Sequence, residues 1–144
     1  MNTDAFYVND IHMGQNTFNQ SAPLLLSNEE VSQSQKNDDN IGPVYVAVKM
    51  KERPKTKQIS SWKKKARNLL RYWDNLFIDE HGVLKKKNSK NHQIVLPGCY
   101  KSMVFEELHD KMGHLSYDRV TELAKQRFYW SGLDDDFKHY VTKK

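Results

Sequence analysis

Between residues 60 and 97 the spacing of apolar residues changes period, and that change restricts the chain to folds that combine helix with sheet. Trp62, Ala66, Leu69, Leu70 and Trp73 recur at helical spacing and form the single stripe of an amphipathic helix. The stripe predicts a helix from Ser60 or Ser61 to about Asp74, with both tryptophans buried and Lys63, Lys64, Arg67 and Arg71 mostly off the apolar face. Alternation then takes over. Leu76-Phe77-Ile78-Asp79, a turn at Glu80-His81-Gly82, and Val83-Leu84-Lys85-Lys86-Lys87 read as a hairpin. After the polar stretch Asn88-Ser89-Lys90-Asn91, residues 92–96 read as a third strand, stopped by Pro97-Gly98.

The flanks return to helical spacing. Tyr100, Met103, Val104 and Leu108 share a face of a predicted helix over 100–112, ended by Gly113. Ser116 suits the N-cap of a helix over 117–126 with Val120, Leu123 and Ala124 inward. An aromatic knot, Phe128-Tyr129-Trp130, precedes a last helix that starts at Leu133 and turns Phe137, Tyr140 and Val141 inward. Its first turn carries Asp134, Asp135 and Asp136, where the macrodipole favours negative charge.

At the other end, the first 26 residues are polar and lack periodic apolar positions, so they read as largely disordered, with Ala22-Pro23-Leu24-Leu25-Leu26 as a docking strip. A capping box of Ser27 and Glu30 opens a short polar helix to about Asn37 whose one good apolar residue is Val31. For residues 44–50 the preceding Pro43 argues helix, while the β-branched content argues strand. The expected class is α+β, mainly α: a small hairpin or three-stranded element, then a three-helix bundle, behind a disordered tail. The expected segments are 1–40, an acidic and polar tail or spacer; 41–97, a basic helix plus hairpin; and 98–144, a C-terminal module.

Charge is divided unevenly along these segments. Residues 1–40 hold six carboxylates against Lys36 alone, whereas residues 49–71 hold ten Lys and Arg against Glu52 alone. Such a density attracts polyanions, of which nucleic acid is the commonest inside cells; the plainer reading is a solvated helix face. The candidate phosphate contacts are Lys63, Lys64, Lys65, Arg67 and Arg71, with Lys85, Lys86 and Lys87. Apolar runs reach only a few residues, against the roughly 20 of a membrane span, and the N-terminus lacks the basic start and apolar core of a secretory signal. One cysteine, Cys99, permits no internal disulfide, which favours a reducing, intracellular compartment. The lysine run at 85–90 favours the nucleus over the cytoplasm. No membrane or small-molecule partner is expected.

His109 and His114 form a His-x4-His pair interrupted by Gly113. On an unbroken helix, positions five apart diverge by about 140°; a glycine break lets the second imidazole swing back toward the first, as two ligands of a structural zinc would. On spacing alone, two histidines near a helix end are more often surface or capping groups than ligands. Leu108-His109-Asp110, Gly113-His114-Leu115, Asp118-Arg119, Leu123, Phe128-Tyr129-Trp130, Gly132-Leu133 and Asp136 together resemble the zinc-binding N-terminal module of retroviral and gypsy-class retrotransposon integrases. Upstream, Trp73, Leu76, the stretch from Phe77 to Leu84, and Leu96-Pro97 are similar to the segment before that module in such polyproteins.

The resemblance implies a zinc-module-like three-helix bundle, His109 and His114 as metal ligands, DNA binding and integrase self-association. It also implies a later Cys-x-x-Cys pair. No cysteine follows His114 in this sequence, and Cys99 lies upstream of the pattern. The expectation is therefore a module truncated before its thiolates, or one that has lost its metal, with weak or absent zinc binding. Asp110, Asp134, Asp135 and His139 are candidate substitutes for the missing ligands, although none matches the family's pattern. The three carboxylates of a two-metal integrase centre have no counterpart, nor do a Ser-His-Asp set or a phosphate loop, so no enzymatic activity is expected. The alternative is a host-retained or truncated remnant acting as a metal-free protein-interaction module.

Overall fold

A computed structural model describes residues 5–7, 25–111 and 116–142, with side chains for 26–108 and 116–140. The elements are β1 (Ala5–Tyr7), β2 (Leu25–Ser27), α1 (Asn28–Asn37), α2 (Ile41–Met50), α3 (Thr56–Ile59), α4 (Lys64–Leu70), β3 (Leu76–Ile78), β4 (Leu84–Lys87), β5 (His92–Val95), α5 (Lys101–Lys111), α6 (Tyr117–Lys125), β6 (Phe128–Tyr129) and α7 (Leu133–Thr142). The class is α+β, mainly α, as the periodicities predict.

The sheet has the order β3-β4-β5-β6. Its first three strands are the expected antiparallel meander, with Phe77 opposite Lys85 and Lys85 opposite Ile94. The fourth strand was not expected. Phe128 and Tyr129, read as an aromatic knot, lie parallel to β5, opposite Ile94 and Val95. The chain travels from β5 to β6 through α5 and α6, the kind of crossover that a parallel pair requires.

Helices cover the sheet through two clusters. In one, Ile94 and Phe128 pack with Leu26, Val31 and Val83 and with Val104, Leu108, Leu123, Leu133 and Phe137 of the C-terminal helices. In the other, Leu76, Leu84 and Val95 pack with Ile41, Val44 and Tyr45 of α2 and Leu69 of α4. Both the sheet and the first cluster therefore run across residue 97, and the segments drawn there from the sequence share one core.

The same packing corrects the reading of residues 26–40 as tail or spacer. Ser27 caps α1 as expected, its Oγ accepting the Glu30 N–H at 3.0 Å. The helix persists because Val31 is buried and because Gln35, also fully buried, is bonded into the sheet. Gln35 Nε2 donates to the Leu84 and Val95 carbonyls at 3.0 and 2.8 Å, and its Oε1 accepts the Leu84 N–H at 2.8 Å. Leu26, placed in a docking strip by the sequence, is 2% exposed inside this core; residues 22–24 of that strip lie outside the described residues.

The ambiguous segment before Met50 is helix α2, with Ile41, Val44, Tyr45 and Ala47 buried on one side. Asp38 fixes its approach: Oδ1 accepts the Asn40 and Ile41 N–H groups at 2.9 and 3.0 Å, and Oδ2 accepts the Gly98 N–H at 3.0 Å. Gly42 is required by contact, since a Cβ there would sit 2.7 Å from the Lys36 carbonyl oxygen.

The single helix expected from residue 60 to 74 is not formed. Lys63 adopts an extended conformation before α4, and Trp73 lies in a separate 3-10 turn, Trp73–Asn75. Ala66, Leu69 and Leu70 are buried as the stripe predicts, whereas Trp62 and Trp73 stay half-buried. Breaking the helix at both ends lets the chain turn from α4 into β3, which a continuous helix through Asp74 would prevent.

Candidate functional site

The C-terminal helices meet over aromatic rings. Phe105 of α5 makes edge contacts with Trp130 and Phe137, at centroid distances of 5.9 and 4.8 Å, and stacks on Tyr140 at 4.6 Å. Trp130 is oriented by its Nε1–H, which donates to Asp136 Oδ2 at 2.7 Å. Lys101 Nζ reaches the same oxygen at 3.2 Å and lies 5.5 Å from the Trp130 ring centroid. One carboxylate thus joins α5, the loop after β6, and α7.

Helix α6 is set by Ser116, whose Oγ accepts the Arg119 N–H at 3.2 Å, and by Tyr117, whose hydroxyl donates to the Asp134 carbonyl at 2.9 Å. At its other end, buried Gln93 donates from Nε2 to the carbonyls of Lys125 and Phe128 at 2.7 and 3.1 Å. These bonds tie the last turn of α6 to the sheet.

Residues 96–143 match the family model for the integrase zinc binding domain. The match is to that domain and not to a catalytic one. No curated protein and no solved structure matches the chain. The matched stretch contains α5, α6, β6 and α7, and its strand β6 pairs with β5, which lies just upstream of the match.

His109 lies in the last turn of α5, directly after fully buried Leu108. Its side chain, and His114 with the Gly113 break, lie outside the described residues. Among the described residues, no three His, Cys, Asp or Glu side chains group as a metal site. Cys99 is exposed in the 3-10 turn before α5, about ten residues and so roughly 15 Å of helix rise from His109. Asp134 Oδ1 pairs with Lys125 at 2.7 Å, and Asp136 is held by Trp130 and Lys101. By the resemblance, His109 and His114 would supply two of the four donors of a tetrahedral zinc site.

The lysines expected to contact phosphate occupy different environments. Lys64, Lys65, Arg67 and Arg71 are exposed along α4 and its C-cap, although the Arg67 guanidinium also donates to the Trp62 carbonyl. Lys63 pairs with Asp39 at 3.3 Å across exposed surface, a contact of small energetic weight.

On β4 the alternation of a strand separates the three lysines. Lys85 pairs with well-covered Asp79 at 3.0 Å. Lys86 is enclosed between Tyr72 and Tyr129, 4.5 and 5.2 Å from the ring centroids, and burial pushes its pKa down. Lys87 lies 5.5 Å from the Phe77 ring centroid and is exposed. Burial, reinforced by neighbouring Tyr72, raises the Tyr129 phenol to about 12. Lys86 therefore joins β4 to the module through a cation–π contact and is not placed as a free phosphate ligand.

Proposed function

We propose that this chain is a non-catalytic, integrase-like zinc-binding N-terminal module of retroelement origin, fused to the β-meander before it, that binds DNA and promotes integrase self-association. The observation that carries this reading is the family match over 96–143, which encloses the His109 and His114 pair. In this reading the two histidines hold one side of a zinc ion that would fasten the end of α5 to the following turn. The exposed cations of α4, Lys64, Lys65, Arg67 and Arg71, supply contacts to the phosphate backbone without reading base sequence. Nuclear action follows from a DNA partner.

A duplex-binding titration across salt concentrations tests the proposal. Each phosphate contact contributes roughly −0.9 to the slope of log affinity against log salt. Replacing Lys64, Lys65 and Arg67 with alanine should flatten that slope by about 2 to 3 units. Binding indifferent to salt, or a slope unchanged in the triple variant, contradicts it.

A metal-free protein-interaction module is the second reading. It is supported by the aromatic packing of α5 on α7, where Phe105 meets the Phe137 ring edge-on at 4.8 Å and stacks on Tyr140 at 4.6 Å. Gel filtration alongside the same DNA titration separates the two.

A further inference from the structure

A second basic surface lies away from α4. Between α2 and the edge strand β3 runs an open groove of about 600 Å³, a size that encloses a small organic ligand or a nucleobase. Lys36, Lys49 and Lys51 stand around it, Trp73, Phe77 and Ile78 form its apolar side, and no carboxylate is among the described residues lining it. None of the α4 cations lines it either.

Two features distinguish this groove from incidental surface. Trp73, which the helical stripe would bury, is instead half-buried along the groove. Lys51 ends α2 in the left-handed region at φ 59° and ψ 35°, a position that glycine ordinarily takes and that strains a side-chain-bearing residue. Lys51 nevertheless occupies this position and lines the groove.

We propose that this groove binds single-stranded nucleic acid, with Trp73 stacked on an unpaired base and Lys36, Lys49 and Lys51 on the flanking phosphates. Three cations with no carboxylate among the described lining residues select a polyanion, and a half-buried indole on the groove selects one that carries flat rings. Base stacking on aromatic side chains beside a basic track is the general physics of single-strand binding. In a duplex the base faces are already stacked on one another and unavailable to Trp73. This surface does not depend on the zinc module or on duplex binding by α4.

Tryptophan fluorescence of the full chain, titrated with an oligothymidylate, tests the proposal. The oligonucleotide should quench emission, and Trp73→Phe should remove most of the quenching and weaken binding about tenfold. Lys49→Ala combined with Lys51→Gly, which suits the left-handed backbone, should lower the salt slope by about 1.4. A same-length duplex and polyglutamate should leave the Trp73 signal unchanged. The proposal is overturned if Trp73→Phe quenches like the parent, if the lysine variant keeps its salt slope, or if duplex or polyglutamate produces the same Trp73-dependent quenching.

Discussion

Strands β4 and β5 pair from Lys87 opposite His92 to Lys85 opposite Ile94, and one residue further on the Gln35 amide bonds to both Leu84 and Val95. A helix side chain there holds three backbone groups in the buried core. Buried peptide groups left unpaired cost about 1–3 kcal/mol each, which makes Gln35 more consequential than its polarity suggests. Gln35→Leu keeps the volume but abandons all three groups. It should destabilise the fold by about 3–5 kcal/mol, with the Leu84 amide exchanging hydrogen faster. Stability close to the parent, measured by urea denaturation, would remove Gln35 from this role. The sequence contains one hint of it: Gln35 lies four residues after Val31, on the same helical face. A buried amide and a solvated one look alike until the partner strand is known.

Asp79 sets the β3–β4 hairpin at the level of the element. Its Oδ1 accepts the His81 and Val83 N–H groups at 2.9 and 3.0 Å, Lys85 meets Oδ2 at 3.0 Å, and Gly82 takes φ +80° to complete the turn. Burial by itself would raise this carboxyl, but the bonds from Val83, Lys85 and His81 outweigh it and hold its pKa below 3.8. A depressed carboxylate stabilises the fold fully above its unfolded pKa, and that contribution is lost as pH falls through the folded value. Asp79→Asn should therefore melt lower than the parent at pH 7, by about 1–2 kcal/mol, and the two melting curves should converge as pH falls below 3.8. A gap independent of pH would contradict the assignment. This hairpin was legible because alternation and a glycine turn are local signals. The break of the basic helix and the two-residue strand β6 were not legible, because each depends on where the sheet lies. The same is true of Lys86: a lysine run shows charge, while the tyrosines that enclose it come from residues 72 and 129.

For the whole molecule, the matched stretch at 96–143 and its upstream meander share one buried core. Leu26, Val31, Val83 and Ile94 belong to the same buried cluster as Leu108, Leu123 and Phe137, and β6 has its partner in β5. A fragment of residues 96–144 should therefore show no cooperative thermal transition, whereas residues 25–144 should melt as one; a sharp transition in the short fragment would show two independent units. The resemblance carried by the C-terminal motif was readable because its histidines, aromatic run and glycines lie close together in sequence. The shared core was hidden because it joins residues far apart. The central claim is that the chain carries the histidine half of an integrase-type zinc site, and zinc titration followed through the histidine ring resonances tests it most directly. Among the six histidines, the rings of His109 and His114 should shift together, saturably and weakly, and replacement of either should abolish the response of both. Zinc that leaves these two rings unmoved, or that moves His12, His81, His92 and His139 equally, would contradict the account.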